Sequence, residues 1–115
     1  MEKLVIYHNP RCQKSRETLT LIEKSKSKAE VIEYLDTPPT VKELQDIIKK
    51  LGIKAEGLIR KKEPLFKEKF EGKKLTEKQW IEAMAKNPIL IERPIVIKGN
   101  NAIIGRPPEN VKKLL

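Results

Sequence analysis

The chain has 115 residues, a single cysteine, a single histidine and a net charge of +9. That length suits one domain spanning 1–115, and a lone cysteine excludes a disulfide within the chain, which fits a reducing cytoplasm. Five of the 25 basic residues are arginine, the lysines interleave with glutamates as in "IEKSKSKAE" and "KKEPLFKEKFEGKK", and aromatic residues are 4%. Such charge reads as solvated surface, and few stacking platforms argue against nucleic acid.

"KLVIYH" is a short buried strand, rich in apolar and β-branched residues. "NPR" breaks it, and Cys12 to about Lys24 follows as a helix with Cys12, Ser15, Leu19 and Ile22 spaced for one face. "AEVIEYL" is a second strand, and "DTPPT" a rigid turn. A capping box, Thr40 with Glu43, opens a helix whose stripe is Val41, Leu44, Ile47, Ile48 and Leu51, ended by Gly52. Short helical pieces follow at "KAEGLIRKK" and "PLFKEKF". A second box, Thr76 with Gln79, opens "EKQWIEAMAK", where Trp80 is a core anchor. "RPIVIKGNNAIIG" is a hairpin around a Gly-Asn turn, and "RPPENVKKLL" is a closing helix. No stretch approaches the ~18 apolar residues of a membrane span, and the run in "MEKLVIYHNP" is too short for a signal peptide. A cytoplasmic monomer is expected.

The order is βαβ, a helical insert at about 40–88, then ββα. It predicts an α/β, thioredoxin-like (glutaredoxin-like) four-stranded mixed sheet with helices on both faces. Cys12 then falls at the first strand-to-helix junction. There the helix macrodipole, unpaired N–H groups and the flanking Arg11 and Arg16 favour thiolate over thiol, and the same features bind an oxyanion. The alternative for such a residue is a small buried hydrophobe.

Arg60, Arg93 and Arg106 sit at element edges in "GLIR", "IERPIV" and "IGRPPE". The expected layout brings Arg93 near Cys12. Each is a planar donor fork suited to an oxyanion, or else a surface charge or structural ion pair. Ser15 completes Cys-x-x-Ser; its hydroxyl can donate to the site but cannot form a disulfide, and an ordinary first-turn serine is the other reading. His8 could lend charge or a hydrogen bond, or be a polar strand end. One Cys and one His cannot build a usual zinc site, and no phosphate-binding glycine loop is present. No bound metal or cofactor is expected.

"YHNPRCQKSRETLTLI", "YLDTPPT", "LIRKKEP", "NPILIERPIVI" and "GRPPENV" resemble, in order and spacing, the glutathione- and glutaredoxin-coupled arsenate reductase family. The resemblance spans essentially the whole chain. It implies Cys12 as the nucleophile that attacks arsenate and Arg60, Arg93 and Arg106 as the oxyanion-binding set. It further implies a cis proline at Pro94, glutathione as co-substrate and glutaredoxin as partner. The same family resembles stress regulators that bind RNA polymerase, which is the alternative role.

Overall fold

The computed structural model describes residues 3–115; Met1 and Glu2, which begin the N-terminal run read above, lie outside them. The described chain forms two units, one built from the segments up to Thr37 and from Arg93 to Leu115, the other from Pro38 to Glu92.

In the first unit, β1 (Leu4–His8) lies at the centre of a four-stranded sheet. It pairs in parallel with β2 (Ala29–Glu33) from Leu4↔Ala29 to His8↔Glu33. On its other side it pairs antiparallel with β3 (Ile95–Lys98), which forms a hairpin with β4 (Asn101–Ile104). The sheet order is β2-β1-β3-β4, and Gly99, at φ +60, supplies the left-handed residue of the two-residue turn. The sheet is mixed, as the element order predicts. Helix α1 (Gln13–Lys24) joins the two parallel strands. Leu4 and Ile6 of β1, Val96 of β3, Ile22 of α1 and Val111 and Leu114 near the C-terminus form one apolar core. Among the described residues, no helix is long and apolar enough to cross a membrane.

Three local expectations shift. The second strand stops at Glu33 and does not reach Leu35, because the Glu33 carbonyl turns to accept the N–H groups of Asp36 and Thr37. On α1 the buried face is Ser15, Thr18 and Ile22, with Leu19 only partly buried. Thr18 can sit in the core because its hydroxyl donates to the Lys14 carbonyl one turn back, at 2.8 Å. The closing segment Pro108–Leu114 is a 3-10 helix. Its three buried residues, Pro108, Val111 and Leu114, recur every third position. Three residues per turn stacks them in line against the sheet, whereas an α-helix would rotate them off it.

In the second unit both capping boxes form. Thr40 opens α2 (Val41–Leu51) with reciprocal Glu43 bonds of 2.9 and 3.1 Å, and Gly52, at φ +71, ends it. Each such cap contributes about 1 kcal/mol. Leu44, Ile47 and Ile48 are the buried part of the α2 stripe. A 3-10 turn at Ala55–Leu58 and α3 (Pro64–Lys69) precede α4 (Glu77–Lys86), which Thr76 caps with Gln79. Trp80 is buried and stacks on Phe66 at 6.2 Å.

Gly105, just after β4, is required for space. A Cβ there would lie 2.6 Å from Thr18 Oγ1 and 2.8 Å from Pro94 Cγ. Gly105→Ala is therefore expected to destabilise the protein by about 1–3 kcal/mol, read as a lowered urea midpoint with unchanged slope.

Candidate active site

β1 delivers the chain to His8, and residues 9–11 turn it into α1. Asn9 organises that turn: its carbonyl accepts from Cys12 N–H at 3.0 Å and its Oδ1 accepts from Arg11 N–H at 3.0 Å. Its own N–H donates to Ser15 Oγ at 3.0 Å, and the same Oγ lies 2.6 Å from His8 Nδ1. Cys12 becomes the N-cap of α1, in extended backbone at φ −95 and ψ 121. A sulfur thus occupies the position where helices usually place an oxygen that accepts from their first N–H groups.

The arginines arrive from the other end of the chain. Ile95 pairs with Ile104, so Arg93 and Arg106, each two residues beyond that pair, emerge at the same end of the hairpin. Arg106 Nε donates to the Arg93 carbonyl at 2.8 Å, and Arg106 Nη2 donates to Cys12 Sγ at 3.4 Å. The Arg93–Pro94 and Arg106–Pro107 peptides are both cis. Arg93 Nε and Nη1 are buried without a hydrogen-bond partner. Buried guanidinium donors left open near a thiol match what an oxyanion would satisfy.

Cys12 is itself 9% exposed. Burial pushes its pKa up, but the backbone N–H of Ser15 pulls it down, as do the Arg93 guanidinium, as donor and as charge, and the Arg106 charge. The downward pull wins, and the thiol lies below its ordinary value. The charges therefore come from Arg93 and Arg106 and not from the flanking pair. Arg11 is exposed, and Arg16 turns its Nη1 to the Pro10 carbonyl at 3.0 Å, bracing the loop. Ser15 serves the sulfur through its backbone, while its hydroxyl is engaged by His8 and Asn9. His8 is buried, and burial lowers its pKa against the upward pull of Glu33, its partner across the parallel ladder; Arg16 lowers it further. It does not lend charge at neutral pH. Arg60 belongs to the second unit, its guanidinium 3.7 Å from Glu63 and 4.0 Å from Glu92, and its backbone N–H donates to the Leu90 carbonyl.

Sequence reasoning missed Asn9, Thr18 and Gly105. The signals were present in Asn before Pro, which favours a side-chain-closed turn, and in Gly before Arg-Pro.

This fold and site define a thioredoxin-like protein that presents a cysteine of lowered pKa at a helix N-terminus. The sequence model of the ArsC family matches residues 7–114, and the chain belongs to that family. It is 45% identical to an arsenate reductase of Neisseria meningitidis over the full length of both. It is 40% identical to an arsenate reductase of Escherichia coli, covering 100% of this chain and 82% of the other. The solved structure of arsenate reductase from Vibrio cholerae superposes with a TM-score of 0.95 at 46% identity, covering 99% of this chain and 98% of that one.

Two outcomes follow from the titrating groups. Alkylation of Cys12 by iodoacetamide, followed against pH, should show a midpoint below that of a free cysteine. Arg106→Gln should raise that midpoint, as expected for loss of a cation in contact with the thiolate. For His8, the unfolded chain takes up a proton as pH falls through 6.5, while the folded chain takes it up only at a lower pH. Stability should therefore drop as pH falls below that value. In His8→Gln the urea midpoint should change less between pH 7.5 and 5.5.

Proposed function

We propose that this protein is an arsenate reductase that draws its electrons from glutathione and glutaredoxin. The observation that carries the reading is the contact of Arg106 with Cys12 Sγ beside the open, buried donors of Arg93. A nucleophile and an anion-binding fork share one place. The names of relatives at 45% and 46% identity support arsenate as the anion.

In this mechanism the Cys12 thiolate attacks arsenic(V), an arsenic–oxygen bond breaks and the oxygen leaves as water after protonation. The arginines hold the oxyanion and stabilise charge on its oxygens. No oxidation state changes in that step. Glutathione thiolate then displaces a second oxygen, again as water, giving arsenic(V) bound to two sulfurs. A glutaredoxin thiolate attacks the glutathione sulfur and forms a mixed disulfide. The electron pair of the arsenic–sulfur bond stays on arsenic, which becomes arsenic(III). Water displaces Cys12 from it, arsenite leaves and the thiol is restored. An outside thiol is needed because the chain has one cysteine. Phosphate fits the same fork, but thiols do not readily reduce it, so the chemistry itself selects arsenate.

Intact-mass spectrometry after arsenate and glutathione should show one glutathione-bearing adduct, absent in Cys12→Ser. Arsenate-dependent NADPH oxidation, coupled through glutaredoxin and glutathione reductase, should fall tenfold or more in Arg93→Lys, which keeps the charge and loses the fork. Wild-type protein that forms no adduct and oxidises no NADPH would remove the reading.

A further inference from the structure

Two prolines follow Arg106, and they leave the turn after β4 short of hydrogen-bond donors. Ile104 ends β4, and a carbonyl entering a turn is ordinarily met by an N–H three or four residues on. Those positions are Pro107 and Pro108, which have no N–H. A side chain supplies the donors instead. Asn110, half-buried in the closing 3-10 helix, donates from Nδ2 to the Ile104 carbonyl at 3.2 Å and to the Arg106 carbonyl at 3.1 Å. Both partners can only accept, so the amide must present its nitrogen to them. The Asn110 backbone N–H donates to the Pro107 carbonyl at 3.0 Å.

These bonds bracket Arg106. Its own N–H donates to the same Ile104 carbonyl at 2.9 Å, and its carbonyl is held by Asn110. The backbone is thus fixed on both sides of the Arg106 Cα. From that Cα the guanidinium reaches the Arg93 carbonyl at 2.8 Å and Cys12 Sγ at 3.4 Å. A long side chain carries any rotation of its backbone out to its tip, so the aim of the fork depends on this clamp. Few residue types could provide it. An aspartate carboxylate only accepts and a serine hydroxyl has one hydrogen, whereas the asparagine amide has two, one for each carbonyl.

We infer that Asn110 is a positioning residue for Arg106, aiming its guanidinium at Cys12 through the backbone carbonyls that the amide clamps. Asn110 touches neither the thiol nor the anion and acts through Arg106 alone. Its effect on arsenate binding rests on the proposed function; its effect on the thiol does not.

Asn110→Leu keeps the branching at Cγ and removes both donors. The pH midpoint of Cys12 alkylation by iodoacetamide should rise in this variant, toward the midpoint of Arg106→Gln and not beyond it. Introduced into Arg106→Gln, the same substitution should leave the midpoint where Arg106→Gln alone puts it, because the two changes remove one effect. Val111→Ala is the stability control, since Val111 lies in the same 3-10 helix with its side chain in the apolar core. It should lower the urea midpoint and leave the alkylation midpoint unchanged. Asn110→Ser, which retains one donor, should give a smaller rise, and it decides the matter if the leucine variant does not fold. In arsenate turnover, Asn110→Leu should raise the arsenate KM by about tenfold, the lower end of what a hydrogen bond to a charged group contributes. An alkylation midpoint unchanged in the Asn110 variants, or one that rises as much in the Arg106→Gln background, would overturn the assignment and leave Asn110 a stabiliser of its helix. If the wild-type protein reduces no arsenate, the proposed activity fails, and the alkylation midpoints alone decide the role of Asn110.

Discussion

The Arg106 guanidinium ties together the three segments from which the site is made. Its Nε holds the Arg93 carbonyl at the entry to β3, and its Nη2 reaches Cys12 Sγ at the head of α1. Both bonds need the chain after β4 to pass close against α1 and Pro94, and only a residue without Cβ fits there, at Gly105. The Gly105 N–H closes the same junction by donating to the Pro94 carbonyl at 2.8 Å. A planar fork with several fixed donors can serve a carbonyl and a sulfur at once, which a lysine ammonium on a flexible stem does less specifically.

The chemistry of Cys12 comes from a contest in which burial is the largest single influence and opposes ionisation. A thiol in that degree of shelter would be inert if the helix N-terminus and the arginines did not outweigh it. The shelter also serves function, because charge interactions strengthen where water is partly excluded. The helix end, Arg93 and Arg106 therefore stabilise a thiolate, and the open donors of Arg93 leave capacity for a second anion beside it.

Beneath the thiol lies a buried polar layer that keeps α1 in register with β1. His8, Asn9 and Ser15 are all buried and satisfy one another, as buried polar groups must if they are not to cost stability. Ser15 couples the two functions: its side chain locks the loop to the strand, and its backbone N–H faces the sulfur. The core of Leu4, Ile6, Ile22, Val96, Val111 and Leu114 fixes this layer from below. The second unit carries its own local stabilisers, two capping boxes and the Phe66–Trp80 stack.

Features encoded by neighbouring residues were legible in the sequence. The capping boxes at Thr40 and Thr76, the Gly52 helix end, the Gly99–Asn100 turn and the position of Cys12 at a helix start depend on a few adjacent side chains and backbone angles. The mixed sheet followed from their order. Sequence proximity misled at the thiol, where Arg11 and Arg16 flank the cysteine but the charges acting on it come from Arg93 and Arg106, the latter 94 positions away. It misled also at the closing segment, where apolar residues every third position turned a helix signal into a 3-10 helix docked on the sheet. Local sequence determined the elements and placed Cys12 at the head of α1. Only the antiparallel pairing of β3 with β4, and the close approach allowed at Gly105, decided which arginines reach it, because the direction of a side chain at a turn is set by what the turn packs against.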